Sequence, residues 1–327
     1  MNSSPNLPAN PSASESNLSV ARSILTPDVL QALNARSTSK GLLRLTGHLL
    51  ILMISGYLWG TNLGHHWAIA LPALLVYGYG FAAMFAPMHE SSHRTAFENN
   101  TLNDWVCWFA GVLSFYNGTF YRRYHKWHHR YVQDPAKDPE LSEPLPKNFW
   151  AYLWVVSGLP WWWGKLITHL RVASGNVADY PYISEEARGE VILSTRLQLG
   201  VYWVAIALSI AAHHPWFITY WLFPLFVAQP ILRCYLFAEH TGCTNDDNPL
   251  TNTRSTYTLF PMRFIMWNMP FHAEHHLYPS IPFHQLPAAH EHLKPHLAHI
   301  GQGYIRVNRE IVAGLAAVQF TMKQPSA

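Results

Sequence analysis

The chain has 327 residues, of which 14% are aromatic and only 13% are charged, and its 14 tryptophans are unusual for a soluble enzyme. The formal net charge of +3 is small and the Lys and Arg residues are scattered, which argues against a nucleic-acid partner. Three cysteines without a Cys-x-x-Cys pair argue against a disulfide framework and against a thiolate metal site.

The chain begins with a segment rich in Ser, Asn and Pro. Residues 1–25 lack an apolar core behind a basic start, so they predict a disordered polar tail and not a signal peptide. Thr26 is a suitable helix cap and Pro27 suits the first helical position. We therefore expect a short polar helix to about Ser37, lying on a membrane surface.

Four apolar segments then predict membrane spans of about 20 residues each. The two segments of each pair are joined by a short turn, so each pair forms an antiparallel hairpin. The predicted fold is an all-α integral membrane protein with four transmembrane helices arranged as two hairpins. The predicted spans are Gly41–Gly60, Trp67–Met88, about Leu197–Ala212, and Trp216–Ala238.

Two further segments predict interfacial helices. Leu102–Gly118 is apolar but short for a span, and the Trp-rich run from Lys147 to Ser174 has the composition found at headgroup depth. Neither hairpin tip contains Lys or Arg, so the positive-inside tendency places both termini on the cytoplasmic side. We expect a membrane domain over residues 26–300 and a cytoplasmic extension over residues 301–327. The membrane itself would be a bacterial inner membrane or one of endoplasmic-reticulum type.

Three histidine clusters lie at or near the cytoplasmic ends of the predicted spans. On a helix, positions i, i+3 and i+4 share one face, so each cluster can direct its rings together. Eight imidazoles exceed the ligands of one zinc ion, whereas two iron ions could use them all. Such a centre could activate oxygen, which side chains alone cannot do. The eight residues are His89, His93, His125, His128, His129, His272, His275 and His276.

The order His-x-x-x-His, His-x-x-His-His, His-x-x-His-His around two apolar hairpins resembles the membrane fatty acid desaturase and hydroxylase superfamily. The resemblance covers roughly residues 26–300. It rests on the stretches from His89 to Thr95, from Tyr124 to Tyr131 and from His272 to Pro279. It implies a di-iron centre in a cytoplasmic cap, a lipid or acyl substrate in a tunnel between the helices, O2 as co-substrate and electrons from an external donor.

The same resemblance implies a ninth metal ligand. Acyl-CoA desaturases of this superfamily have one more histidine at the cytoplasmic end of the fourth span, and His240 occupies the matching place. Those enzymes also have an asparagine four residues earlier that holds a metal-bound water. This chain has Leu236 at that position.

The remaining histidines have structural or solvent-exposed interpretations. Those at the hairpin tips, His65, His66, His213 and His214, are expected in solvated turns. A second group, His284, His290, His292, His296 and His299, is expected on a solvated surface helix. His48 and His169 are expected to be structural. Carboxylates near the clusters could orient the ligating rings or form ordinary ion pairs, namely Glu90, Asp134, Asp138, Glu239 and Glu274.

The function predicted from these observations is oxygen-dependent introduction of a double bond into a fatty acyl chain. Hydroxylation or ketolation of a lipid or carotenoid remains open, because these reactions share the first hydrogen abstraction. A zinc-dependent membrane hydrolase would need far fewer histidines, and a metal transporter would place its ligands midway through the spans.

An external electron donor is expected because the sequence contains no haem-binding domain, dinucleotide fingerprint or iron–sulfur cysteine spacing that we recognise. Ferredoxin and cytochrome b5 are both acidic enough to dock on a basic surface. We expect Arg122, Arg123, Lys126 and Arg130 to form that surface beside the second cluster.

Overall fold

The computed structural model describes residues 20, 21, 23–142 and 145–322, and most of them are helical. The helices are α1 (Pro27–Leu33), α2 (Thr38–Asn62), α3 (Trp67–Ala83), α4 (Phe85–Ser92), α5 (Asn100–Ser114), α6 (Gly118–Tyr131), α7 (Phe149–Val156), α8 (Leu159–Ala173), α9 (Glu185–Ala211), α10 (Phe223–His240), α11 (Phe260–Ile265), α12 (His272–Leu277), α13 (Leu286–Leu293) and α14 (Tyr304–Met322). Short 3-10 turns lie at Pro139–Leu141 and Lys294–His296, and a π-helical turn at Ile218–Leu222 leads into α10.

Four helical segments in the described part of the chain are long and apolar enough to cross a membrane: Thr38–Asn62, Trp67–Ser92, Glu185–Ala211 and Ile218–His240. Their outer faces carry large apolar side chains that would face lipid, since Leu43 is 75% exposed and Trp203 is 69% exposed. The prediction of an all-α membrane fold with four spans is confirmed.

The boundaries of two spans differ from the prediction. The second span continues beyond Met88 to Ser92, with a break in the helix at Met84. The helix of the third span, α9, begins twelve residues before Leu197, at Glu185. Acidic residues in its first turn favour a helix N-terminus, so the helix starts in the polar segment that precedes the apolar run.

The spans pack closely where small residues let their backbones approach. A Cβ atom added at Gly78 of α3 would lie 2.2 Å from the carbonyl oxygen of Pro224 in α10. Between α2 and α3, the ring Nε2 of His48 lies 2.9 Å from the carbonyl oxygen of Gly80. His48 is fully buried there, which agrees with its predicted structural role. The close approach of Gly78 to Pro224 joins the first hairpin to the last span.

The polar segments form a cap at one end of the bundle. Strand β1 (Ser255–Tyr257) pairs in parallel with β2 (Ile300–Gln302), which brings the segment after the fourth span beside the segment before α14. The predicted extension over residues 301–327 begins in β2 and continues as α14, where Asn308 donates a hydrogen bond to the carbonyl of Cys234 at 3.0 Å. The extension is therefore packed against α10.

The end of the predicted tail also packs against the cap. Ala21 and Leu25 are buried beside Tyr278, whose hydroxyl lies 3.4 Å from the amide nitrogen of Leu25. Residues 1–19 lie outside the described part of the chain, so the disordered tail stays a prediction there. The predicted surface helix is present as α1, and it ends at Leu33.

Candidate metal centre

The structure brings the three histidine clusters together at one end of the spans. His89 lies on α4 and His93 directly follows it, so the first cluster continues the second span. The second cluster lies on α6, which begins where the Asn117 side chain accepts a hydrogen bond from the Phe120 amide at 2.8 Å. The third cluster lies on α12, and His240 is the last residue of α10.

Ring nitrogens of five histidines lie within 4.8 Å of one another and form the first group: His89, His93, His125, His129 and His275. Three more form the second group by the same measure: His128, His240 and His276. His272 adjoins the second group, since its Nε2 lies 3.2 Å from Nε2 of His240. All nine predicted residues therefore meet at one place, in two adjacent groups.

The two groups touch through the i, i+3, i+4 spacing of α6. His125 and His129 belong to the first group, while His128 belongs to the second. The rings of His129 and His276 are stacked with centroids 4.2 Å apart across the boundary. One helical cluster thus supplies nitrogens to both groups, which is the geometry of two neighbouring sites.

Most of the clustered histidine rings that lie outside the spans favour the neutral form. Burial lowers the pKa of His125, His129, His275 and His276 well below 6.5, and the neighbouring histidines lower it further. Burial and the charge of Arg122 lower the pKa of His93 to about 3. Neutral imidazole offers a lone pair to a metal ion, whereas imidazolium does not.

Several buried ring nitrogens have no hydrogen-bond partner among the described residues, including both nitrogens of His89 and of His276. Leaving buried polar atoms unpaired costs free energy, and a metal ion would satisfy them. The donors are all imidazole nitrogens, which suits iron, copper, nickel or zinc and not magnesium or calcium. The residues present therefore fit a pair of transition-metal ions.

Among the predicted orienting carboxylates, Asp138 contacts a ring of the cluster. Its Oδ1 lies 2.8 Å from Nδ1 of His128, and both side chains are almost fully buried. Burial lowers the pKa of His128, but the charges of Glu140 and Asp138 raise it more, so the net shift is upward. Asp138 fixes the orientation of the ring and leaves Nε2 for the second group.

The other four carboxylates behave differently. Glu239 lies 3.5 Å from Nδ1 of His272, which is beyond a normal hydrogen bond. Asp134 forms an ordinary ion pair with Lys137 at 3.3 Å. Glu90 accepts a hydrogen bond from the Phe283 amide at 3.0 Å. Glu274 contacts a histidine outside the nine.

That histidine, His290, corrects one prediction. It was expected on a solvated surface, but it is only 2% exposed, and its Nδ1 hydrogen-bonds with Glu274. Its Nε2 lies 2.7 Å from the hydroxyl of Tyr257, and Glu274 also accepts from the Ser255 hydroxyl. This network braces α12 against β1. The neighbouring His292 and His296 are exposed, as predicted, and so are the four histidines of the hairpin tips.

Two of the four basic residues expected to form the docking surface are already paired with carboxylates. Arg122 forms an ion pair with Asp104 at 2.6 Å, and Arg123 forms one with Glu190. Asp104 is shared between Arg122 and Arg94, and the side chains of Arg122 and Arg123 are each less than a quarter exposed. Lys126 and Arg130 are exposed, and neither forms an ion pair with a described residue.

A cavity of about 680 Å³ opens beside the histidines. His89, His125, His128 and His272 lie in its wall, together with aromatic side chains such as Tyr121 and several charged residues. Leu236 also lines it, at the position where the resemblance placed a water-holding asparagine. The cavity is large enough for an extended organic molecule with one end beside the two groups.

Comparison with known proteins agrees with this architecture. The family model described as "Fatty acid desaturase" matches residues 65–308, and the chain therefore belongs to the fatty acid desaturase family. It is 25% identical over 232 residues to the dihydrorhizobitoxine desaturase of Bradyrhizobium elkanii, covering 66% of this chain and 65% of that protein.

It is also 23% identical over 238 residues to the sphingolipid delta(4)-desaturase/C4-monooxygenase DES2 of Mus musculus, covering 70% of this chain and 68% of that protein. The corresponding protein of Rattus norvegicus is 24% identical over 242 residues, covering 65% and 64%. The chain thus spans about two thirds of the length of the curated relatives it matches.

Proposed function

We propose that this chain is an oxygen-dependent di-iron membrane oxidoreductase that introduces a double bond into a fatty acyl or related lipid chain. The observation that supports this most strongly is the meeting of nine histidines in two adjacent groups at the ends of the spans. A zinc hydrolase would use three or four such ligands. The family match supports the same assignment.

In this proposal the two groups hold one iron ion each. The first ion is bound by His89, His93, His125, His129 and His275, and the second by His128, His240, His272 and His276. When bound, the iron pair supplies the oxygen activation needed to attack an unactivated C–H bond. Burial favours the neutral form of rings such as that of His125, and the contact with Asp138 holds the ring of His128 in place.

The substrate would lie in the cavity of about 680 Å³ beside the histidines. Aromatic side chains such as Tyr116 and Tyr121 form part of its wall. Hydroxylation is the second candidate, and it is supported by the printed name of one relative, which joins desaturase and C4-monooxygenase. The two outcomes would share the first hydrogen abstraction and would differ in where the cavity holds the substrate relative to the histidines.

The test combines metal analysis with product analysis. We expect two iron ions per chain in purified protein, and an unsaturated product by mass spectrometry when cells expressing the chain are given candidate lipids. His275→Ala should remove iron from the first group, and His128→Ala should remove it from the second. Each change should also abolish turnover, because it deletes a ligand.

His292→Ala is the matched control, because His292 is exposed and lies outside both groups. It should keep both the iron and the product. Stoichiometric zinc with activity that survives iron removal would contradict the proposal and favour a hydrolase. Full iron content and full turnover in either of the other two variants would refute the role of that residue.

A further inference from the structure

Two positively charged side chains lie in the wall of the proposed substrate cavity, away from the histidines. Lys165 of α8 and Arg233 of α10 both line it. Arg233 lies seven residues before His240 on the same helix, which is about 10 Å along the helix axis. An ionisable residue within a membrane span is expensive to bury and commonly marks a binding pathway.

Both cations gather around one tyrosine. The Lys165 ammonium lies 4.5 Å from the centroid of the Tyr116 ring, and Arg233 donates a hydrogen bond to the Tyr116 hydroxyl at 2.7 Å. The Arg233 guanidinium also lies over the Trp161 ring at 5.0 Å. These contacts place the two charges on one aromatic platform, which holds them without neutralising them.

Neither cation has an ion-pair partner in the described part of the chain, although carboxylates also line the cavity. Two of these carboxylates lie beside the histidines. Glu140 is 3.7 Å from Nε2 of His128, and Glu239 is 3.5 Å from Nδ1 of His272. Among the described residues, no carboxylate therefore lies within ion-pair distance of Lys165 or Arg233, although the charge of Glu140 acts on both.

The platform also has unused hydrogen-bond donors. Nε of Arg233 is buried without a partner among the described residues. The Tyr116 hydroxyl accepts two hydrogen bonds, from Arg233 and from the indole of Trp161 at 3.1 Å, so its own proton remains available. Burial and the nearby Arg233 lower the pKa of Lys165 to about 8, although the charge of Glu140 partly opposes the shift.

We infer that Lys165, Arg233 and Tyr116 bind an anionic oxygen group of the substrate, a carboxylate or a phosphate, inside the cavity. This inference rests on the proposed function in taking the cavity as the substrate site. An anion would receive charge-assisted hydrogen bonds from both cations and the phenol proton. The substrate is then an acid or phosphate ester with its charged end held inside the protein, and not a neutral lipid.

The position of the platform also limits where the substrate reacts. The Tyr121 ring lies 5.8 Å from the Tyr116 ring and 5.0 Å from the His125 ring. The Tyr116 ring cannot be farther from His125 than these two distances together. An extended chain advances about 1.2 Å per bond, so an extended substrate held at the platform would reach His125 within about ten bonds of its anionic group.

Calorimetric binding to the full chain in lipid nanodiscs tests this inference without requiring turnover or iron. The probes are decanoate, methyl decanoate and decyl phosphate, which share a chain and differ at one end. We expect decanoate or decyl phosphate to bind at least about tenfold more tightly than the neutral ester, because charged groups strengthen hydrogen bonds. The tighter of the two anions identifies which group the site takes.

Variants then locate the binding site. Lys165→Gln and Arg233→Gln should each weaken binding of the preferred anion about tenfold and leave the ester unchanged. Arg233→Lys should retain most of the affinity even if Arg233→Gln fails to fold. Lys137→Gln is the control, because Lys137 lines the same cavity but is paired with Asp134.

Equal affinity for the ester and both anions would overturn the inference. Unchanged anion affinity in Lys165→Gln, or in an Arg233→Gln variant that folds, would also overturn it. Anion binding by protein that proves to hold zinc would leave this inference standing while refuting the iron assignment, so the two failures can be told apart.

Discussion

Single buried side chains determine the chemistry available to the centre. Asp138 accepts from the ring of His128 at 2.8 Å, and its second oxygen accepts from the amide of Gln133 at 2.9 Å. The carboxylate is thus fixed from two directions before any metal binds. This rigidity holds one ring nitrogen toward the second group and limits its rotation.

His169 shows how burial of one imidazole affects stability. Burial lowers its pKa to about 4, although a hydrogen bond to the carbonyl of Lys165 at 2.7 Å partly opposes the shift. The unfolded chain takes up this proton near pH 6.5, and the folded chain does so only near pH 4. Stability from the neutral ring is therefore lost as pH falls from 6.5 to 4, at about 1.4 kcal/mol per pH unit.

We expect His169→Gln to reduce the pH dependence of thermal unfolding between pH 7 and pH 5, because glutamine can keep the hydrogen bond but does not titrate. His214→Gln, at an exposed hairpin tip, should leave that dependence unchanged. If the melting temperature falls equally with pH in the wild type and in His169→Gln, the assignment is wrong.

The sequence allowed eight clustered histidines to be selected, because their spacing places them on single helical faces, whereas His240 was selected through the family resemblance alone. It did not reveal the burial of His290, which depends on Glu274 and Tyr257 from other parts of the chain. A local signal did exist. Leu286, Ala289, His290 and Leu293 share one face of α13 and are all buried.

At the scale of helices, the two hairpins pack closely where α3 meets α10. Of the glycines that contact the other hairpin, Gly78 of α3 has the least space for a side chain. Gly78 has the Pro224 carbonyl and the Ala228 side chain on one side of it. Rigid backbone on both helices leaves no room for a side chain. This contact fixes the fourth span, and with it His240, relative to the first hairpin.

We predict that Gly78→Val destabilises the protein by about 1–3 kcal/mol or more, because the added atoms would meet backbone that cannot move aside. Thermal stability in detergent measures the effect. Gly200→Val is the control, since it also places valine in a span but nothing lies within 4 Å of its Cβ. Equal losses in both variants would mean that helix propensity, and not packing, is responsible.

Apolar runs predicted the spans because bilayer thickness sets a length that a sequence displays directly. Helix ends were harder to predict, because they depend on caps and on polar turns that continue a helix beyond the apolar region. Glu185 and the break at Met84 are examples. The pairing of α3 with α10 was not predictable, since no local pattern identifies the partner of a small residue.

At the scale of the whole molecule, the fold brings the ends of the second and fourth spans to one cap. Because both hairpin tips lack Lys and Arg, we predict that the tips lie on the non-cytoplasmic side. The two histidine groups would then lie on the cytoplasmic side. Asn62→Cys and His214→Cys should be labelled by an impermeant reagent only from the non-cytoplasmic side. Labelling of position 62 from the cytoplasm alone would refute this topology.

The electron donor should dock on the exposed bases beside the second cluster. Since Arg122 and Arg123 are already paired, we predict that Lys126→Glu and Arg130→Glu slow reduction by an acidic donor and weaken its salt dependence. Stopped-flow reduction with a ferredoxin or a cytochrome b5 measures this. Arg309→Glu reverses an exposed charge on α14 and is the control. If Lys126→Glu and Arg130→Glu are reduced as fast as Arg309→Glu, the donor does not dock on this surface.

The packing of Ala21 and Leu25 against Tyr278 has a practical consequence for shortening the chain. Tyr278 lies two residues beyond His276, so the far N-terminal contacts support the rear of the third histidine cluster. Trimming residues 1–19 removes none of these contacts, whereas trimming to residue 26 removes all of them and exposes the apolar surface that they cover. Truncation at the end of the polar N-terminal segment, chosen from composition alone, would therefore remove contacts that stabilise the cap.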